Sequence, residues 1–104
     1  MGTLPVAVAE IVDRFLDVVE RHRHVVAAYV YGSQAKGTAG NWSDVDVAVV
    51  SPDFRSDLFE EQIVLMRLAA EVDDRIEPRP FRPGDFRIED PLVAEITRTG
   101  VRVL

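Results

Sequence analysis

Tyr31-Gly32-Ser33-Gln34-Ala35-Lys36-Gly37 is followed, after five further residues, by Ser43-Asp44-Val45-Asp46-Val47. Upstream, Val25 to Tyr31 is a run of seven apolar residues rich in valine and tyrosine that stops at Gly32. Its length and composition predict a buried strand. Downstream, Asp44 to Val50 alternates acidic or small residues with valines, the period-two pattern of a strand with one apolar face. Between the two, Ser33 to Ser43 is small, polar and punctuated by glycine, which predicts a connection outside the core.

Working outward, Val6 to Arg23 carries Val8, Ile11, Val12, Phe15, Leu16 and Val19 at the spacing of one helical face, with Pro5 suited to its first turn. Ser51-Pro52-Asp53 ends the second strand. Ser56 is placed to cap a second helix whose apolar face takes in Leu58, Phe59, Ile63, Leu65, Met66, Ala69, Ala70 and Val72. Arg75 to Arg82 predicts a third strand, confined to a sheet edge or an irregular pairing by Pro78 and Pro80. Pro83-Gly84-Asp85 is a turn, and Pro91 starts a last helix through Leu92, Val93 and Ile96 that Gly100 stops. Val101 to Leu104 is a short strand or a frayed end. The order αββαβα, with or without a final strand, predicts an α/β (α+β) fold: a small mixed β-sheet flanked by helices.

Bulk properties narrow the function. One hundred and four residues suit a single domain, residues 1–104. With 47% hydrophobic and 29% charged residues, the composition is globular. There is no cysteine, so thiolate zinc sites, thiol nucleophiles and disulfide scaffolds are excluded. Twelve Lys and Arg against 18 Asp and Glu give a net charge of −6, opposite to the footprint of a protein that holds long nucleic acid or a polybasic membrane surface. No apolar run approaches the length of a membrane span, and no signal-like start is present, so a cytoplasmic location is expected.

Asp44 and Asp46 lie two apart on a strand and therefore share a face. At an effective dielectric near 20, two charges about 7 Å apart repel by about 2.4 kcal/mol. A divalent cation between them removes that cost, and Mg²⁺ suits such a site because it takes oxygen ligands and keeps several waters. The alternative is a solvated polar face, but aspartate is disfavoured in strands and two in one short strand ask for a reason. Gly32 directly after a strand lets the backbone turn and approach a ligand closely. If a helix opens there, its free N–H groups with the Ser33 hydroxyl make an anion cradle; otherwise Gly-Ser is a plain turn. Lys36 either meets a phosphate or is solvated.

Gly32-Ser33, ten residues, then Asp44-x-Asp46, each half at a strand end, resembles the signature of the DNA polymerase beta-like nucleotidyltransferase superfamily. Over essentially the whole chain the sequence looks most like the minimal nucleotidyltransferase (MNT) family, including the antitoxins of HEPN/MNT toxin–antitoxin systems. The resemblance implies a polymerase beta-like nucleotidyltransferase fold. It implies that Gly32 and Ser33, with Lys36, bind the nucleotide, and that Asp44 and Asp46 are catalytic metal ligands. The family's third carboxylate falls on Glu77, although the family commonly has aspartate in an apolar strand, and here Pro78 follows; Asp73 and Asp74 are the other candidates. The implied cofactors are Mg²⁺, as two ions, and ATP as substrate. The implied reaction transfers AMP to a hydroxyl, a tyrosine of a cognate HEPN RNase toxin, which the chain neutralises as an antitoxin. A HEPN-domain toxin is the expected partner, in a homo- or hetero-oligomer. A chain this short is expected to have its acceptor site completed by another protein or a second copy.

Two other functions fit the same residues: a non-catalytic antitoxin or scaffold acting by binding, and a small-molecule nucleotidyltransferase subunit with a separate substrate-binding partner. No Gly-x4-Gly-Lys-Ser/Thr loop is present, which argues against a P-loop ATPase. His22 and His24 do not share a helical face and are read as solvated or capping. Tyr31 and Trp42 either pack or stack on a base. Arg79, Arg82 and Arg87 make either a basic strip for phosphates or an acidic partner, or an ordinary charged surface.

Overall fold

The computed structural model describes residues 4–40 and 43–104; Trp42, read as packing or stacking on a base, lies outside them. In chain order the elements are α1 (Val6–Glu20), β1 (Ala27–Tyr31), α2 (Ser33–Lys36), β2 (Val45–Val50), α3 (Leu58–Ala70), β3 (Ile76–Phe81), a 3-10 turn (Pro83–Asp85), α4 (Pro91–Thr99) and β4 (Val101–Arg102). The strands form one mixed sheet in the order β3-β2-β1-β4. β1 runs antiparallel to β2 and to β4, whereas β2 and β3 are parallel. A parallel pair needs a long crossover, and α3 supplies it.

Strand alternation divides the interior. On one face Ala28, Val30, Val45, Val47, Val49 and Ile76 pack with the buried stripe of α1 and with Phe54, Leu65 and Ala69. On the other, Ala48, Val50 and Phe81 pack with Val93 and Ile96 of α4, with Ala27, Tyr29, Tyr31 and Phe86 around them. The α1 stripe is the six residues that periodicity marks, Val8, Ile11, Val12, Phe15, Leu16 and Val19. Burying each such side chain stabilises the fold by about 1.5–3 kcal/mol before ordering costs.

The edge position expected for β3 holds. Val45 N–H donates to Arg75 and Ser51 N–H to Phe81, so the odd-numbered residues of this strand face β2. The even positions, Pro78 and Pro80, therefore face the free edge, where neither offers an N–H, and the Pro78 carbonyl accepts from Gln62 Nε2 at 3.2 Å. An edge without donors resists pairing with another chain.

Several expectations need correction. The second helix is capped by Asp57, whose side chain accepts from Glu60 N–H at 3.2 Å, and not by Ser56. Its apolar face is narrower than the sequence suggests: Phe59 and Met66 are exposed, while the buried set is Glu61, Leu65 and Ala69. The polar stretch after Gly32 is not all outside the core, since Gln34 is buried. The last helix does end at Gly100, where only a residue without a side chain fits. A Cβ there would stand 2.4 Å from the Ile96 carbonyl and 3.2 Å from that of Val30.

Candidate functional site

The register of the sheet assembles the site. Asp46 is paired with Tyr31 on β1 and with Glu77 on β3, so Tyr31, Asp46 and Glu77 stand in one row across three strands. The next row is Tyr29, Ala48 and Arg79, and Ala48 lies on the α4 side of the sheet. Partners in adjacent strands point to the same face, so the whole row of acids opens on the side that α4 covers. Asp44 precedes β2 and is exposed. Glu77 is exposed and Asp46 is half-buried. Among the described residues no group of three His, Cys, Asp or Glu side chains is gathered closely enough to hold a metal ion unaided. Asp73 is drawn instead into a pair with Arg75 at 3.2 Å, away from the role of third carboxylate.

Gly32 is bound to this row. Its φ is +73° and ψ −148°, a conformation essentially restricted to glycine. A Cβ added there would lie 2.5 Å from Asp46 Oδ2. The glycine expected to admit a ligand thus first admits the carboxylate of the second aspartate. From Gly32 the chain enters α2, a single turn closed by Lys36 N–H to the Gly32 carbonyl at 3.1 Å and stopped by left-handed Gly37.

Charges around the row are unequal. Burial pushes the Asp46 carboxyl above the usual aspartate range, the Asp44 carboxylate pushes it further, and the Arg79 guanidinium opposes both. Burial likewise raises Tyr31. The Arg79 guanidinium near its hydroxyl pulls the other way, and Asp46 and Glu77 add to the rise. Lys36, by contrast, pairs with Glu95 of α4 at 3.0 Å, and Glu95 also holds Arg98. This contact across 59 positions leaves no local trace in the sequence. The same holds for Gln34, whose Nε2 reaches the Ser43 carbonyl at 3.5 Å, just before Asp44.

Two clefts flank the row. One of about 680 Å³ runs between α2, α4 and β4, with Tyr29, Lys36, Arg98 and Arg102 in its walls. The other, about 360 Å³, lies at the β3 edge against Phe59, Arg79, Pro80 and Phe81. The histidines take no part in the row: His24 N–H donates to Asp53 at 2.6 Å, and His22 is exposed.

The family model described as nucleotidyltransferase domain matches residues 12–97. None of the curated proteins matches the sequence. Among solved structures, the chain is similar to a protein from Sulfolobus solfataricus described as a candidate nucleotidyltransferase, with TM-score 0.68 and 15% identity over 93% of this chain and 79% of the other. It is also similar to a chain of a toxin–antitoxin structure determined with AMP-PNP, with TM-score 0.65 and 18% identity over 92% of this chain and 72% of the other. At these identities the likeness is one of fold.

Proposed function

The chain belongs to the nucleotidyltransferase domain family, and from that premise we propose that it transfers AMP from ATP to a hydroxyl group of a partner protein, as the antitoxin of a toxin–antitoxin pair. The row Tyr31–Asp46–Glu77, with Gly32 packed against Asp46, is the observation that carries this reading.

Asp44, Asp46 and Glu77 offer hard oxygen donors, and Asp46 is common to both pairs, two residues from Asp44 and opposite Glu77. An aspartate that burial and a neighbouring carboxylate hold in an unfavourable charged state is a fitting ligand for a divalent cation. Mg²⁺ accepts such an incomplete set, because it fills its shell with water and phosphate oxygens. When bound there, Mg²⁺ supplies neutralisation of charge on the transferred phosphoryl group and on the leaving pyrophosphate.

The chain's own residues supply the rest. The first N–H groups of α2 have no acceptor within the helix, so Gly32, Ser33 and the turn they open are placed to orient phosphate oxygens beside the acids. The acceptor hydroxyl oxygen forms a bond to the α-phosphorus while the bond from that phosphorus to the bridging oxygen of the pyrophosphate breaks. The hydroxyl proton passes to a carboxylate of the row, the part that the resemblance gives to Glu77, which is exposed. Lys36 joins the phosphates only by leaving Glu95. The acceptor is read as a tyrosine of a HEPN-type RNase toxin, and the chain as a single cytoplasmic domain.

Incubation with labelled ATP, Mg²⁺ and the product of the neighbouring gene tests the proposal. Label is expected on that protein, and it should disappear with the Asp44→Asn, Asp46→Asn double variant. Unchanged labelling by the double variant would overturn the assignment. Full neutralisation of a toxin by the double variant, in a stable complex without transfer, would establish the binding-only alternative instead.

A further inference from the structure

We infer that Arg79 is a phosphate-binding residue of the site, set by the sheet register one row from Asp46 and Glu77 so that it meets the triphosphate of the nucleotide. The inference rests on the nucleotide-transfer reading and adds to it a residue outside the Gly-Ser and Asp-x-Asp motif.

The geometry is that of the sheet. Arg79 is paired with Ala48, one row from Asp46 and Glu77 and on their face of the sheet. Ala48 has the smallest side chain a strand can carry short of glycine, so nothing on β2 blocks an arginine from lying across it. The Arg79 charge acts on both the Tyr31 hydroxyl and the Asp46 carboxyl, opposing the rise of each, which agrees with that placement. Arg79 is nonetheless exposed, and it forms a wall of the cleft of about 360 Å³ at the β3 edge.

Several other cations are committed to carboxylates: Arg23 and Arg55 are paired with Glu61, Arg75 with Asp73, Arg87 with Glu89, and Lys36 and Arg98 with Glu95. Among the described residues Arg79 is in no such ion pair, and neither are Arg82 and Arg102; of these three, Arg79 is the one next to Glu77 and Asp46 in the register. Its planar fork can take two phosphate oxygens at once. The charge balance asks for such a group, because a triphosphate approaching Asp44, Asp46 and Glu77 meets three carboxylates. Lys36, the cation nearest in sequence to the Gly-Ser pair, is turned to Glu95.

Calorimetric titration of the 104-residue chain with AMP-PNP and Mg²⁺ tests the inference without any acceptor. Arg79→Ala is expected to weaken binding tenfold or more, with Arg79→Lys between it and the parent. Arg82→Ala, which removes an exposed arginine from the end of the same strand, should stay within twofold. Titration with Mg²⁺ and inorganic tripolyphosphate, which carries no base or sugar, should show the same loss for Arg79→Ala. A parent that binds and an Arg79→Ala variant within twofold of it would overturn the inference. So would equal losses from Arg79→Ala and Arg82→Ala, or a loss seen with AMP-PNP but not with tripolyphosphate. A parent that binds neither probe overturns the nucleotide reading itself. Arg79→Gln, which keeps the length of the side chain and removes its charge, replaces the alanine variant if that one fails to fold.

Discussion

Gly32 meets two separate demands, a backbone conformation that side chains resist and a contact with Asp46 that leaves no room for a Cβ. Gly32→Ala should therefore lose about 1–3 kcal/mol of stability through the backbone alone. It should lose far more activity than that destabilisation explains, because the methyl group displaces the carboxylate; urea denaturation beside a transfer assay separates the two. Asp46 itself carries a cost. Burial, then Asp44, raise its folded-state pKa. Stability associated with the protonated carboxyl is present below the ordinary aspartate range and is lost as pH rises through the raised value. Asp46→Asn, which cannot ionise, should thus melt at a higher temperature than the parent at pH 7 while losing transfer. The two melting curves should converge as pH falls to where the parent's Asp46 is protonated; a lower Tm for the variant at pH 7 would contradict this. The motif residues were legible because their chemistry is local: a glycine after a strand, acids at period two. Arg79 was visible only as one of three arginines on a strip, since the sheet register that sets it beside Asp46 and Glu77 is not local.

At the level of elements, α3 is anchored by a charge rather than by the wide apolar face its sequence suggests. Glu61 is fully buried and receives Arg23 Nε at 3.0 Å and Arg55 Nε at 3.0 Å, tying the α1–β1 and β2–α3 connections to one carboxylate. Burial pushes its pKa up, but the Arg55 and Arg23 hydrogen bonds outweigh it and the net shift is downward. That contribution is present above the ordinary glutamate range and disappears as pH falls through the lowered value. Glu61→Gln should cost about 3 kcal/mol, the low end for a broken buried pair because Arg55 is largely exposed, and should flatten the acid limb of a stability–pH curve. In sequence Glu61 sits in Glu60-Glu61-Gln62 and reads as surface; only the arrival of two arginines from elsewhere makes it a core residue. The strand edge is the opposite case, since Pro78 and Pro80 announced it directly. Replacing both with valine should restore donors along that edge and raise association, measurable by light scattering, with little change in the sheet itself.

For the whole molecule, a ligand that binds only the folded state stabilises it in proportion to occupancy. Mg²⁺ with ATP at 100 times Kd should add about 2.7 kcal/mol, which in a domain of this size corresponds to about 10 °C or more in Tm. The Asp44→Asn, Asp46→Asn double variant should show no such response to the pair, and a full response by it would remove the acids from the ligand site. Architecture was legible at this scale from the order of helical and period-two segments. What pairs with what across the sheet was not, because register is decided by tertiary packing. That register has a consequence for length variation. Tyr31 opposite Asp46 is a fixed rung of the β1–β2 ladder, so the approach of Gly32 to the carboxylate is measured by the ladder and not by the number of residues joining the strands. Doubling such a connection costs only about 0.6 kcal/mol in closure entropy. Residues added after Gly37 would lengthen the connection and leave the distance that chemistry depends on untouched. The interval between the two halves of the motif is therefore the place to graft a reporter peptide.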